Sequence, residues 1–303
     1  MEFNKFININ NYQEGLKFYC LCDNFNSESV KFKDVLIKNN PFLIDFSQEK
    51  KINNDDYSIF ILIGGDGFAL HVINKLLQDK LIFGDKTFFY GINYGNVGFL
   101  MNKIREESHY FDLKNLILNS KINKINPLVI KAINDDCEKS IYYKNIDSVE
   151  KKTDLLYAIN DISFLRNSSQ ATKIKLTIDG VVRISELVGD GLIVSTPIGS
   201  TAYNFSAGGQ IIPISSKLLS IRSLNTSRPR LWCGATISSD CEILVEMLES
   251  FKRPVCMSCD HIQFSANSNK FTIKSTKDIE VNLLFDSDFD LPEKVLMRQF
   301  FQD

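Results

Sequence analysis

Gly64-Gly65-Asp66-Gly67 sets one carboxylate among three glycines, directly after the apolar run YSIFILI at 57–63. Glycine has no side chain and tolerates positive φ, so its backbone turns sharply and approaches a ligand closely. A glycine turn between a buried strand and a helix is where backbone N–H groups and a helix N-terminus receive phosphate oxygens. The spacing is neither the dinucleotide G-x-G-x-x-G nor a G-x-x-x-x-G-K-[ST] P-loop. It contains no lysine to neutralise a triphosphate, so a divalent metal would supply that charge. A carboxylate is repelled by phosphate, and Asp66 is therefore expected to have a task, such as accepting the proton of an attacking hydroxyl. The alternative is turn or helix-cap chemistry, where Asp before Gly is also common.

A longer stretch, GDGLIVSTPIGSTAYNFSAGGQIIP at 189–213, gathers Ser195, Thr196, Ser200, Thr201, Tyr203, Asn204 and Ser206 around further glycines. Hydroxyls and an amide are neutral donors suited to ribose and phosphate, and the Tyr203 ring could stack on a base. A third element is Asn160-Asp161, a polar pair inside the apolar run LYAINDISFL. Within one half-buried strand the two would point to opposite faces, one toward a ligand and one toward the structure; a β-bulge or an edge position is the alternative.

The elements that would hold these residues divide into two kinds. KFYCLC (17–22), YSIFILI (57–63) and TFFYGIN (87–93) read as strands, with helical patterns in SESVKFKDVLIKN and in Ala69, Val72, Ile73, Leu76 and Leu77. Uninterrupted apolar strands alternating with helices predict an open parallel α/β sheet. After about residue 105 the pattern changes to alternating, strand-like runs, with Asp179-Gly180 as a hairpin turn. The expected organisation is an α/β domain at 1–105 carrying GGDG, a β-rich ligand-binding domain at 106–286, and a helical segment at 287–303 packing back on the core.

The 303 residues carry 35 basic and 37 acidic side chains, a net charge of −2, so no global field draws the chain to nucleic acid or an anionic membrane. The first twenty residues lack the basic start and apolar core of a signal peptide. No apolar run approaches the ~20 residues that span a bilayer. The expectation is a cytoplasmic, soluble protein. Of the seven cysteines, Cys256 and Cys259 form a lone C-x-x-C with no second pair at zinc spacing. Reduced, buried thiols are the plain reading, with a redox role as the alternative.

Taken in order, GGDG, GINYGNVGFL, Asn160-Asp161 and DGLIVSTPIGSTAYNFSAGG resemble the NAD kinase family over roughly residues 57–265, most closely the bacterial branch found in α-proteobacteria. The resemblance implies an α/β + β fold of the NAD kinase/diacylglycerol kinase type: an N-terminal open parallel α/β domain and a β-rich C-terminal domain. It implies ATP and NAD as substrates, with Mg²⁺ the expected divalent cation. Asp66 would be the general base on the 2′-hydroxyl of the adenosine ribose, and Asp66 and Gly67 would contact NAD. Asn160 and Asp161 would hold the nicotinamide side, although the family usually has Glu at the second position. Asp190 would contact the nicotinamide end. Thr201, Ala202, Tyr203, Asn204, Phe205 and Ser206 would surround the adenine and its ribose, Phe99 would line the adenine pocket, and His71 stands where a basic residue near the dinucleotide is frequent. Phe68 and Ile198 depart from the family pattern, and Asp260-His261 stands where the family has an acid followed by a varied residue near the ligand. The resemblance further implies a homodimer or homotetramer, with the segment 222–230 able to complete a neighbour's pocket. Two rivals share parts of this pattern. A lipid or sphingoid kinase shares GGDG but not STAYNFSAGG, and a silent dinucleotide sensor would have no need of Asp66.

Overall fold

The computed structural model describes residues 16–47, 56–81, 86–95, 98–103, 105–133, 141–144, 150–288 and 291–300. The chain divides into two compact units, Met1–Ile125 with Asp278–Lys294, and Asn126–Lys277 with Val295–Asp303.

In the first unit β1 (Leu16–Cys22), β2 (Leu43–Asp45), β3 (Tyr57–Gly64) and β4 (Thr87–Asn93) lie parallel in the order β2-β1-β3-β4. Next to β4 comes a strand from the far end of the chain, Val281–Phe285, parallel to β4, and then β5 (Lys121–Ile125), antiparallel to that strand. Ser58 through Gly64 of β3 are all buried, as a parallel strand covered on both faces must be. Helix α1 (Ser27–Asn39) starts at Asn26, whose side chain accepts from the N–H groups of Glu28 at 3.0 Å and Ser29 at 3.3 Å. Helix α2 (Asp66–Gln78) starts at Gly65 without a side-chain cap, leaving its first N–H groups to other partners. A short helix, α3 (Leu113–Leu118), buries Leu113 and Ile117 in the same core as Ile59, Ile61, Ile63 and Tyr90.

The second unit is β-rich. Six strands, β6 (Leu128–Ile133), β9 (Leu155–Ala158), β11 (Thr172–Ile178), β12 (Val181–Gly189), β16 (Ile243–Met247) and β19 (Lys270–Ser275), form one sheet in the order β12-β11-β16-β19-β6-β9. Eight strands form another, β15-β14-β13-β10-β17-β18-β7-β8. In chain order these are β7 (Ile141–Lys144), β8 (Glu150–Thr153), β10 (Asp161–Arg166), β13 (Gly191–Ser195), β14 (Leu218–Leu224), β15 (Gly234–Ser238), β17 (Val255–Cys259) and β18 (Ile262–Ala266). One apolar cluster takes side chains from both sheets, among them Ile130, Phe271 and Val245 from one and Phe164, Leu192 and Met257 from the other. Asp179-Gly180 turns β11 into β12 with both residues at positive φ, 50° and 76°, the conformation of a type I′ hairpin. A four-residue helix, α4 (Tyr203–Ser206), follows β13, and the chain closes with β20, the strand Val281–Phe285, and helix α5 (Leu291–Phe300).

Two sequence expectations change. The boundaries read at 105 and 286 give way to 125 and 277, because β5 and β20 pair with each other and with β4 rather than with the β-rich sheets. LYAINDISFLRN is not one strand: β9 and β10 belong to different sheets, and the chain crosses between them at Ile159–Asn160. Asn160 therefore lies in a bend rather than opposite Asp161 in a common strand. The polar pair marks a sheet-to-sheet corner.

Candidate functional site

In the first unit, β3 delivers Asp66 to the first turn of α2. The carboxylate reaches the second glycine-bearing loop: Oδ2 accepts from Phe99 N–H at 2.6 Å and Oδ1 from Leu100 N–H at 3.0 Å. Gly98 faces it so closely that an added Cβ would sit 2.7 Å from Asp66 Oδ1. The two glycine turns also touch through their backbones, since a Cβ on Gly95 would lie 3.1 Å from the Gly65 Cα. Burial raises the Asp66 pKa, while the two amides and the nearby Lys294 charge pull it down. Lys294, from α5, donates to the Gly98 carbonyl oxygen and lies 4.9 Å from the centroid of the Phe99 ring. The loop is anchored further along by buried Asn102, which donates to Gly91 O and Leu284 O, each at 3.0 Å, and accepts from Asp286 N–H at 2.9 Å. Asp286 in turn accepts from Tyr90 Oη at 2.6 Å and Arg105 Nε at 2.9 Å. Gly67 is exposed, with no atom within 4 Å of a Cβ placed there, and His71 is half-buried on α2. Phe68 is explained by its neighbour: its ring occupies the space where a Cβ on Gly64 would come within 2.8 Å.

In the second unit, the corner at 159–161 is held by Asp260. Its carboxylate accepts from the N–H groups of Ile159 at 2.8 Å, Asn160 at 2.7 Å and Asp161 at 3.1 Å. Asp260 occupies positive φ in the two-residue turn between β17 and β18. Asp161 is 6% exposed, and burial, with the Asp260 charge adding to it, pushes its pKa up to about 7. His261 beside it is lowered by burial against the opposing pull of Asp260. Thr196 ties the serine- and threonine-rich loop to the same corner: its Oγ1 donates to Ile159 O at 2.7 Å, and its N–H donates to Asn160 O at 2.9 Å. Gly199 packs on that corner too tightly for any side chain, since a Cβ would fall 2.0 Å from Asn160 O.

Within the loop the candidates separate into those that build it and those that face outward. Asn204 is fully buried, donating to Ser200 O at 3.2 Å and Gln210 O at 3.0 Å and accepting from Ser220 Oγ at 2.9 Å. Ser200 Oγ donates to Pro197 O at 2.5 Å and accepts from Ile212 N–H at 2.8 Å, and Thr201 Oγ1 donates to Ile198 O at 2.8 Å. Ile198 itself is 2% exposed, so an apolar residue suits that position. Tyr203 and Ser206 are exposed, Ala202 is half-buried, and Phe205 lies under the Arg298 guanidinium at 5.0 Å.

Asp190 stands apart. It precedes β13, whose Ser195 pairs with Asp161 and whose Gly191 pairs with Leu165. The strand length between them puts Asp190 roughly 15 Å from the Asp161 end. There it binds Arg166 Nε at 2.7 Å and accepts from Asn225 Nδ2 at 2.7 Å. The structure thus joins Asp66 with Phe99, joins Asn160 and Asp161 with the 196–206 loop, and leaves Asp190 at the other end of β13. Asp260 and Lys294 are the residues that pattern reading undervalued. An Asp-His pair between two short alternating runs was the available signal for Asp260. A lysine in the first turn of an otherwise apolar-faced helix was the signal for Lys294.

Among the described residues no group of three or more His, Cys, Asp or Glu side chains is placed to hold a metal ion. No described helix is long and apolar enough to cross a membrane. Of the described cysteines, Cys20, Cys22 and Cys259 are buried free thiols, and Cys256 is a half-buried one.

A family model described as the ATP-NAD kinase C-terminal domain matches residues 159–229. The NAD kinase of Rickettsia typhi is 37% identical over 270 residues, covering 87% of this chain and 95% of its own. The NAD kinase of Rickettsia bellii is 36% identical over 249 residues, covering 81% and 87%. Among solved structures, an NAD kinase from Archaeoglobus fulgidus in complex with ATP has a TM-score of 0.68 at 20% identity, covering 93% of this chain and 98% of its own. Yeast NADH kinase complexed with NADH has a TM-score of 0.70 at 17% identity, covering 96% and 89%. At those identities the solved structures speak to fold alone.

Proposed function

The chain belongs to the NAD kinase family, and we propose that it transfers a phosphoryl group from ATP to the 2′-hydroxyl of the adenosine ribose of NAD, giving NADP. The observation that carries the mechanism is the Asp66 carboxylate, half-buried at the start of α2 and held by two amides of the facing loop. Those bonds use two of its lone pairs and leave the others to accept a hydroxyl proton. Burial raises its basicity and the amides fix its direction. The uncapped start of α2 and the bare glycine backbone offer N–H groups to phosphate oxygens, while positioning and charge stabilisation supply most of the acceleration.

Among the described residues no cluster of metal-ligating side chains is in place. A divalent cation, Mg²⁺ by preference, is assigned to the triphosphate, which with water supplies its ligands. Its contribution is to neutralise phosphate charge. Asn160, Asp161, Tyr203, Phe205 and Ser206 of the second unit are assigned to the dinucleotide, as are Phe99 and His71 of the first. Asn204 and Thr201 act mainly by holding the loop. Asp161, whose pKa burial pushes up to about 7, is assigned to donate or accept toward a ribose or amide group. Asp190, with Asn225 of the 222–230 segment, is assigned to the pocket of a neighbouring copy in a cytoplasmic homodimer or homotetramer. The test is a product assay pairing NAD or NADH with ATP or polyphosphate. NADP formation is expected, and phosphorylation of a diacylglycerol instead would reject the assignment. Asp66→Asn is expected to lose at least about 100-fold in turnover while still binding NAD; turnover within tenfold of the parent removes Asp66 from the base role.

A further inference from the structure

We propose that Lys294, on the C-terminal helix, is a positioning residue for phosphoryl transfer that acts on Asp66 through the single peptide group joining Gly98 to Phe99. The inference rests on the kinase reading above. Lys294 Nζ donates to the oxygen of that peptide, and the N–H at its other end, on Phe99, donates to Asp66 Oδ2 at 2.6 Å. Hydrogen bonds in line through one amide polarise each other. A cation on the carbonyl oxygen makes the Phe99 N–H a stronger donor, and a stronger donor favours the ionised carboxylate. The ammonium also sits over the Phe99 ring, which steadies the same residue from a second direction.

Lys294 is an unlikely choice for its place unless the loop needs it. It stands in the first turn of α5, where the helix dipole disfavours a cation. A surface lysine would carry its head out to water; this one turns its head to a backbone carbonyl and is half-buried. Leu291 and Val295, each 1% exposed, lie three residues before it and one after it, and their burial fixes which side of the helix faces inward. The loop has little freedom to drift away, because Gly98 already lies against Asp66 Oδ1. Asp66 and Lys294 act on each other, and Lys103 is a further described charge that acts on Lys294. Burial lowers the Lys294 pKa, Asp66 raises it and Lys103 lowers it, while Lys294 lowers that of Asp66.

The test compares the pH dependence of kcat/KM in the parent with Lys294→Gln, Lys294→Met and Lys294→Arg, after thermal melts establish which variants fold. Gln keeps a donor for Gly98 without the charge, and Met keeps the aliphatic stem. A base works when ionised, so activity falls as pH drops through the Asp66 pKa. Loss of the Lys294 charge raises that pKa and moves the acid limb upward by about half a unit to one unit, part of the roughly 1 to 3 units that an adjacent opposite charge produces. The neutral variants are expected to lose about threefold to tenfold on the acid side of the limb and to approach the parent on its alkaline side, while Arg follows the parent throughout. A uniform loss at every pH, an unmoved limb, or an Arg variant displaced like the neutral ones overturns the proposal. A ¹³C NMR titration of the Asp66 carboxyl makes the same comparison without turnover. A parent that yields no NADP thus rejects the kinase reading while the coupling is still measured.

Discussion

Two backbone amides already occupy part of the Asp66 carboxylate, so the Asn variant changes two things together. An amide can accept from only one of Phe99 and Leu100 and turns its own NH₂ toward the other, an unmade bond that costs about 1–3 kcal/mol. A melt run beside the assay separates this loop damage from loss of the base. Asp161 allows a cleaner experiment because its shift has a definite sign. Its folded pKa, about 7, lies above the unfolded carboxyl range, so the native state holds a proton that the unfolded chain has released. Parent stability therefore falls between about pH 4 and pH 7 on this account and levels off above. Asp161→Asn removes the dependence and is expected to gain at least about 1 kcal/mol over the parent by pH 8, with little gain near pH 4. Urea midpoints at three pH values check it, and a gain that does not grow with pH counts against the buried, ionising carboxyl. Sequence pattern singled out both aspartates by their company, glycines in one case and apolar neighbours in the other. It named Asp260 but not its role, because the partners at 159–161 lie about a hundred residues away and are bound through their backbone amides.

Helix α2 shows how an element is bent to its task. Its second residue, Gly67, is exposed and has open space where a side chain would go. Packing gives no reason for glycine there, and in a helix glycine is weaker than alanine by about 0.5–1 kcal/mol. Gly67→Ala is therefore expected to leave stability unchanged or raise it by up to ~1 kcal/mol, while the proposed approach of ligand to the bare backbone predicts a KM for NAD or ATP raised at least about fivefold. A variant with unchanged KM would show that Gly67 has no ligand to accommodate. Elements with strong periodicity were legible from sequence: α1 and β4 run where the pattern put them, and the Asp179-Gly180 hairpin closes as expected. The 156–167 run was not, because an apolar stretch that switches sheets carries the same alternation as one that stays. Only the partner strands tell the two apart.

For the whole molecule, the two-unit division was legible because continuous apolar strands and alternating strands differ in composition. The true seams were not, because the first unit takes back Asp278–Lys294 from the far end of the chain. At this scale the prediction concerns Asp190. Its distance along β13 from Asp161 and its bond to Asn225 motivate its assignment to a neighbour's pocket. Mixing Asp66→Asn and Asp190→Asn protomers, each weak alone, is then expected to restore activity, because mixed oligomers contain pockets with both aspartates intact. If Asp190 serves its own protomer, mixing restores nothing. Sequential affinity purification of protomers carrying two different tags confirms that mixed oligomers formed.

The late arrival of β20 has a consequence during synthesis. β4 and β5 are separated in the sheet by a strand that ends at Phe285, so as the chain leaves the ribosome some 160 residues pass between the end of β5 and its pairing partner. At roughly 5–20 residues per second this is about 10 to 30 seconds in which β4 presents an unpaired apolar flank. The β-rich unit, contiguous through Lys277 apart from its last few residues, can fold first. The nascent chain thus has most of its β-rich unit before the sheet of the first unit can close, and a translation product cut short before Val281 would keep the flank of β4 open to chaperones and proteases.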